Sequence, residues 1–464
     1  MVEPTNRKRV AVIGAGITGL SAAHRLIERG GFDVEVFDAN AETGGLLTTV
    51  RVGDCLIERG ADSFITNKPA ALELCLRLGL ESQLVRTNAE FRRSLVLHNG
   101  KPTSVPAGFQ LLMPTQLEPL MQSPLLTDAG KQRVAAERAV PPAAELKDES
   151  LSSFVRRRFG DELFERLAQP MVGGIYTADP DKLSLLATLP RFLHMEQQHG
   201  SLLTAAEHAE PEAASGARYG LFVSLKDGIQ QLVDTLTARV EEKQKIHRGC
   251  EVQSVRQDGT RWEVTDRNGK STIFDSVIVA TSTWRAADFL ADCNLAAALS
   301  EIEYASSAIV CSVHNLADIE HAMDAFGLVI PAIEKRRILA VSFASRKFDN
   351  RVPDGHIILR TFVGGAMQPE MLDDTDAELT DVVLGELHDI FGVKGRPLHT
   401  LVTRYDRAMP QYHLGHIERV KRIKSLVDKL SGLELAGNAY EGVGIPDSVR
   451  SGESAAERIA SVDR

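Results

Sequence analysis

The chain has 464 residues, of which 43% are hydrophobic and 25% charged; this suits two or three folded domains and excludes disordered and fibrous architectures. Its 53 basic against 63 acidic residues leave a formal charge of -10, which opposes contact with phosphate backbones and discounts nucleic acid as a partner. Five scattered cysteines (Cys55, Cys75, Cys250, Cys293, Cys311), with no CxxC pair, argue against a disulfide framework and against a metal site, and are expected as reduced thiols.

The opening residues 1–9 are polar and basic and pass straight into a strand. An apolar signal segment is therefore not expected, and a cytoplasmic location is. No run of eighteen apolar residues occurs, so no membrane span is expected.

Val10-Ala11-Val12-Ile13 reads as a strand and runs into Gly14-Ala15-Gly16-Ile17-Thr18-Gly19, after which Ile17, Leu20, Ala23, Leu26 and Ile27 recur at helical spacing. A second strand, Val34-Glu35-Val36-Phe37, ends on Asp38, nineteen positions after Gly19. Strand, glycine turn, helix and acid in that order define a dinucleotide-binding start. Gly14 permits the sharp turn, Gly16 lets backbone approach a pyrophosphate, Gly19 lets helix lie close on sheet, and Asp38 meets a ribose hydroxyl. The helix N-terminus supplies N–H donors and positive potential.

Gly44-Gly45 follows, and then Glu58-Arg59-Gly60-Ala61-Asp62-Ser63-Phe64. A plain turn would explain the glycine pair alone, but not a second glycine-bearing segment so soon after it. The order GxGxxG, acid, GG and Glu-Arg-Gly-Ala-Asp-Ser-Phe resembles the amine-oxidase-like flavoprotein superfamily, and within it the oxygen-dependent porphyrinogen oxidases of haem biosynthesis. The resemblance implies FAD. Its ADP half would lie on residues 14–19 and Asp38, with Gly44, Gly45, Gly60, Ala61, Asp62 and Ser63 along pyrophosphate and flavin. Many members of the family carry Glu where Asp38 stands.

Further on, Ala71, Leu72, Leu74, Cys75 and Leu78 repeat as an amphipathic helix with a stop at Gly79. Leu95-Val96-Leu97, the turn Asn99-Gly100 and the stretch to Val105 read as a hairpin. Just before it, Arg93 matches an arginine that the resemblance implies as partner of a substrate propionate. Lys68 is a second candidate for such a carboxylate, because a lysine at a helix start gains nothing from the dipole. Residues 109–126 are apolar but broken by Pro114, Pro119 and Pro124, and read as a packed helical hairpin. In the family the matching lobe carries the channel mouth and in several members docks on a membrane, which Phe109, Leu111, Leu112 and Met113 would suit. The basic flanks that anchor interfacial helices are thin here.

Residues 139–150 read as a linker, and Arg156-Arg157-Arg158 as the solvated face of an amphipathic helix. Pro170-Met171-Val172-Gly173-Gly174-Ile175-Tyr176 and Asp179-Pro180-Asp181-Lys182-Leu183-Ser184 follow. The resemblance places the Gly174 backbone beside the substrate, opposite the flavin. Residues 200–219 are small and polar, a mobile connection. A helix then begins after Gly228, and strands are expected at residues 250–255, 262–264 and 276–281. The resemblance implies that Val252 meets the adenine through its backbone. Alternating runs at 308–313, 338–343 and 356–363 read as antiparallel strands of a separate sheet. Near the end, Leu433-Glu434-Leu435-Ala436-Gly437-Asn438 and Gly442-Val443-Gly444-Ile445 form a third strand-turn-helix, whose N–H groups suit pyrophosphate or the flavin edge. Gly437, Asn438, Val443, Gly444 and Ile445 complete the cofactor set.

The expected architecture is α/β: a discontinuous Rossmann-like FAD-binding domain (1–68, 215–290, 401–464), a sheet-containing substrate domain (69–94, 291–400) and a helical lobe (95–214). Only one GxGxxG follows a strand, so no NAD(P)H site is expected and dioxygen is the simplest acceptor. The resemblance implies six-electron oxidation of coproporphyrinogen III or protoporphyrinogen IX with hydrogen peroxide as by-product. Other amine-oxidase-like enzymes, acting on amines or carotenoids, and a non-enzymatic binding protein on the same fold are the alternatives. Peripheral membrane contact and a homodimer stay open.

Overall fold

The computed structural model describes residues 7–208, 220–291 and 294–461. The readings made on residues 1–6, on 209–219 of the connection and on Cys293 lie outside the described residues. Cys55, Cys75, Cys250 and Cys311 are free thiols.

A five-stranded parallel sheet forms the base. Its strands lie in the order Lys245–His247, Phe32–Phe37, Lys8–Ile13, Ser276–Val279 and Leu433–Leu435, so three distant parts of the chain meet side by side. Strand alternation sends Val10, Val12, Val34 and Val36 to one face and Ala11, Ile13, Val277 and Val279 to the other. Both faces are buried, as a parallel sheet requires. Helices Ile17–Arg29, Ala70–Arg77, Gln230–Glu241 and Ile445–Ser461 cover the first face. An antiparallel meander (Val252–Asp258, Arg261–Asp266, Ser271–Phe274) and helix His416–Val427 cover the second. The first and final helices touch backbone to backbone: a Cβ on Gly452 would lie 2.1 Å from the Thr18 carbonyl oxygen.

The second sheet has seven strands in the order His399–Pro410, Tyr304–Asn315, His356–Gly364, Ala340–Phe343, Gly327–Val329, Leu95–His98 and Lys101–Ser104. Helix Asp376–Phe391, closed at its start by a Thr375–Glu378 capping box, packs on one face. The hairpin Thr49–Val52/Cys55–Glu58 packs on the other. Residues 95–104 and 399–410 thus pair in this sheet, rather than with the helical lobe or the parallel sheet.

The helical lobe differs from expectation at two places. Phe109–Gln110 and Met113–Pro114 form a two-stranded hairpin rather than a helix, and Phe109, Leu111, Leu112 and Met113 are buried in the lobe's own core. Those four side chains are therefore not available to dock on a membrane. Among the described residues no helix is long and apolar enough to cross one. The arginine run is likewise not a solvated face. Arg158 is fully buried, its Nε donating to Glu137 at 2.7 Å and its Nη1 to Glu196 at 3.2 Å, and Arg157 bridges Glu149 and Glu196. Arg157 and Arg156, the latter paired with Asp161 and stacked on Phe164, both stay partly exposed.

Candidate active site

The glycine turn is built as its spacing requires. Gly14 has φ +104°, and a Cβ there would lie 2.6 Å from the Ala280 carbonyl oxygen. On Gly19 a Cβ would lie 1.8 Å from the Gly14 oxygen, so neither position accepts a side chain. Gly16 is different: a Cβ there meets nothing within 4 Å. It caps the first helix, whose start has no side-chain cap and no acidic residue in its first turn. An open approach to unneutralised N–H donors suits a diphosphate. Gly44 closes over this turn, its N–H donating to the Ala15 oxygen at 2.8 Å, and Gly45 lies against Gly16. Ile17 and Thr18 are buried beneath.

Asp38 is engaged by protein donors. Its Oδ2 accepts from the Ala15 N–H at 2.6 Å and its Oδ1 from the Asn40 N–H at 2.8 Å. Its own carbonyl accepts from Cys250 at 2.7 Å, which brings Val252, two residues on, to the same edge. The acid therefore ties turn to second strand, a job that the sequence spacing did not reveal.

The segment 60–63 is anchored from the other sheet. A Cβ on Gly60 would lie 1.8 Å from the Leu46 oxygen, so the backbone runs close over the 44–47 loop. Asp62 accepts from Lys347 Nζ at 2.8 Å and from Arg360 Nη1 at 3.0 Å, and Arg360 Nη2 also donates to the Gly60 carbonyl. Burial opposes ionisation of Asp62, but these two cations outweigh it and hold its carboxyl far below the usual range. Ser63 takes a hydrogen bond from Lys347 at 2.9 Å, and Ala61 is exposed. Beside them Glu58 is buried, and burial pushes its carboxyl up to about 6, against donors from Thr49 and the Ile229 N–H. Arg360 and Lys347 were missed by sequence reasoning. The available signal was an arginine inside the apolar run Ile357-Ile358-Leu359-Arg360 of a strand buried on both faces.

The third glycine element meets the first at Thr281, whose side chain lies by the Cβ position of Gly14 and whose carbonyl lies by that of Gly437. Tyr412, another residue missed, pins the loop: its hydroxyl donates to the Asn438 oxygen at 2.7 Å and accepts from the Gly442 N–H at 2.8 Å. Val443 packs on the helical lobe, and Ile445 enters the core of the parallel-sheet unit. Gly442, at φ +128°, leaves room for Asp447 to fold back over the loop.

Asp447 also meets Lys68. The Lys68 ammonium, on a half-exposed side chain, pairs with the buried Asp447 at 2.7 Å, so a lysine at a helix start is matched by a carboxylate of the final helix. Arg93 is exposed and pairs with Asp324.

Gly174 lies on the helix Gln169–Tyr176, which continues a π-helical turn at Phe164–Ala168, a distortion frequent at functional sites. It is exposed, and a Cβ there meets nothing within 4 Å. The helix ends at Thr177, whose carbonyl accepts from Ala366 at 2.9 Å, fastening it to the corner after strand His356–Gly364. A cavity of about 620 Å³ opens at this junction. It reaches from Gly365 and Gln411, beside the end of the Gly174 helix, to Tyr405, whose hydroxyl stands 3.1 Å from the Cβ position of Gly60. Among the described residues, no group of three or more His, Cys, Asp or Glu side chains is placed to hold a metal ion.

A parallel sheet with a glycine turn, beside a mixed sheet that lines a cavity with the helical lobe, is the arrangement of a two-sheet flavoprotein. The chain belongs to the flavin containing amine oxidoreductase family, which matches residues 17–460. It is 33% identical to coproporphyrinogen III oxidase of Bacillus subtilis (strain 168), with 97% of each chain covered. It is 27% identical to protoporphyrinogen oxidase 2, chloroplastic/mitochondrial, of Arabidopsis thaliana, covering 99% of this chain and 95% of that one. A crystal structure from Exiguobacterium sp. 255-15, assigned to protoporphyrinogen oxidase, superposes with a TM-score of 0.89 at 29% identity, over 98% of this chain and 99% of that chain.

Proposed function

We infer that the chain is an FAD-dependent porphyrinogen oxidase of haem biosynthesis. The observation that carries this reading is end-to-end similarity to coproporphyrinogen III oxidase, in a chain whose cavity is lined by Tyr405, which reaches the Gly60 position, and by Gln411, which donates to the Tyr176 carbonyl. The residues present fit FAD: the open N–H cradle at Gly16 takes the diphosphate, Asp38 and Val252 flank the adenosine end, and Gly44, Gly45 and residues 60–63 lie along the flavin. Gly437, Asn438, Val443, Gly444 and Ile445 close the other side. When bound, FAD supplies the two-electron acceptor for three successive dehydrogenations and returns the electrons to dioxygen as peroxide.

The chain's own part is orientation. The Gly174 backbone, free of any side chain, lets the macrocycle approach closely. Arg93, near the surface and held by Asp324, serves a propionate.

One observation favours a second reading. Asp179, Glu303, Asp373 and Asp406 line the cavity against only Lys182, Arg404 and His413, a balance better matched to a cationic amine than to a polycarboxylate. One assay separates the two. Under air, coproporphyrinogen III or protoporphyrinogen IX should give rising porphyrin fluorescence with three dioxygen consumed per porphyrin, and NADH or NADPH should not bleach the flavin. Oxygen uptake with putrescine and none with either porphyrinogen would reverse the choice.

A further inference from the structure

We propose that Arg360, Asp62 and Lys347 are positioning residues that set the reduction potential of the flavin, by holding segment 60–63 in place beneath a buried surplus of positive charge. This rests on the reading above that residues 60–63 lie along the flavin.

The geometry is specific. Arg360 sits on the central strand His356–Gly364, its side chain 2% exposed. It reaches across 298 residues of sequence to Asp62 Oδ2 and, through Nη2, to the Gly60 carbonyl. Its Nε is left without an oxygen or nitrogen acceptor, beside the Cys311 thiol. A guanidinium in the core, where every unpaired donor is costly, is not what packing alone selects. Lys347 approaches Asp62 Oδ1 from the other side, and Ser63 Oγ donates to the same oxygen at 2.6 Å. The carboxylate is thus fully occupied, and two cations share it.

The charge account follows. The neighbouring pair, Glu58 and Arg351, are of opposite sign and attract each other. Arg360 and Lys347 against Asp62 leave one positive charge uncompensated, on side chains 2% and 17% exposed. Two-electron reduction of a flavin with uptake of one proton leaves it one unit more negative. A nearby buried cation stabilises that form over the oxidised one, and low-dielectric surroundings enlarge the effect. The bonds to Gly60 and Ser63 keep the segment in register while the charge acts, so one cluster does both.

The test uses the full-length protein loaded with FAD, and measures the midpoint potential together with apo-protein affinity for oxidised and reduced FAD. Lys347→Met removes one charge from a partly accessible site, and should cut the preference for reduced over oxidised FAD about tenfold, a fall of about 30 mV for a two-electron couple. Asp62→Asn should move the potential the other way by a similar factor. Arg360→Lys, which keeps the charge, should weaken FAD binding yet leave the potential near that of the parent. Should all three variants weaken oxidised and reduced FAD equally, with unchanged potentials, the cluster is only structural and the inference falls. Failure of the parent protein to bind FAD would instead overturn the cofactor reading, and this inference with it.

Discussion

Two of the buried arginines, Arg158 and Arg360, differ in how they are satisfied. In the helical lobe, every nitrogen of Arg158 has a partner: Glu137, Glu196, and the carbonyls of Val140 and Gly200. Glu137 in turn accepts from Ser201 at 2.5 Å and from the Leu202 and Leu203 N–H groups at 3.0 and 3.2 Å. Cation and carboxylate close on each other and on backbone, so the cluster is complete without a ligand. At the 60–63 segment, Arg360 shares one carboxylate with Lys347 and keeps its Nε without an oxygen or nitrogen acceptor. The lesson is that burial of a charge does not by itself mark function. A closed network stabilises a lobe, whereas a network with surplus charge beside an open cleft is arranged toward something else.

The sharpest way to break this comparison is a double dissociation. Gly16→Leu should abolish flavin retention, because the side chain fills the diphosphate approach. Apo-protein melting should hardly change, since nothing lies within 4 Å of a Cβ at Gly16. Absorbance of the purified protein near the flavin bands, with thermal unfolding, checks both halves. Arg158→Met should do the opposite, leaving Glu137 buried without its cation. A loss of about 3 to 5 kcal/mol is expected in denaturant unfolding, with FAD-binding stoichiometry intact in whatever fraction stays folded. A stable Arg158→Met protein would mean that the lobe cluster is not the closed unit described.

Glu58 gives a smaller effect with a definite sign. Its folded carboxyl is raised to about 6 from an ordinary 4.5. Its contribution to stability is therefore fully present below about pH 4.5 and is lost as pH rises through 6. A shift of that size is worth about 2 kcal/mol. Glu58→Gln should flatten the stability profile between those limits, and a profile unchanged from the parent would remove the buried carboxyl from the account. Arg93→Ala, at an exposed pair, should raise KM for the porphyrinogen several-fold at constant flavin content, about 1 kcal/mol. Least of all, Arg156→Ala should cost under about 1 kcal/mol of stability, against the large loss at its neighbour Arg158.

Much of the first strand-turn-helix was legible because its causes are local. Gly14, Gly16 and Gly19 act on one another within a single turn, and the apolar run before them and the helical spacing after them are short-range patterns. The hairpin turn at Asn99-Gly100 is legible for the same reason, both residues having positive φ. Arg158 was misread because a lone charge costs least in water, which makes a solvated face the default when partners are unknown. The partner of Lys68 was out of reach in the same way, Asp447 lying 379 residues away.

The sequence by itself determined the strand-turn-helix elements and the chemical character of the cradle, since backbone sterics and hydrophobic period operate over a few residues. Tertiary structure alone decided which strands share the seven-stranded sheet, that the apolar stretch 109–113 faces inward, and that Arg360 and Lys347 meet at Asp62. Those outcomes depend on which surfaces remain after collapse, when a buried charge must find an opposite charge wherever the fold has brought one within reach.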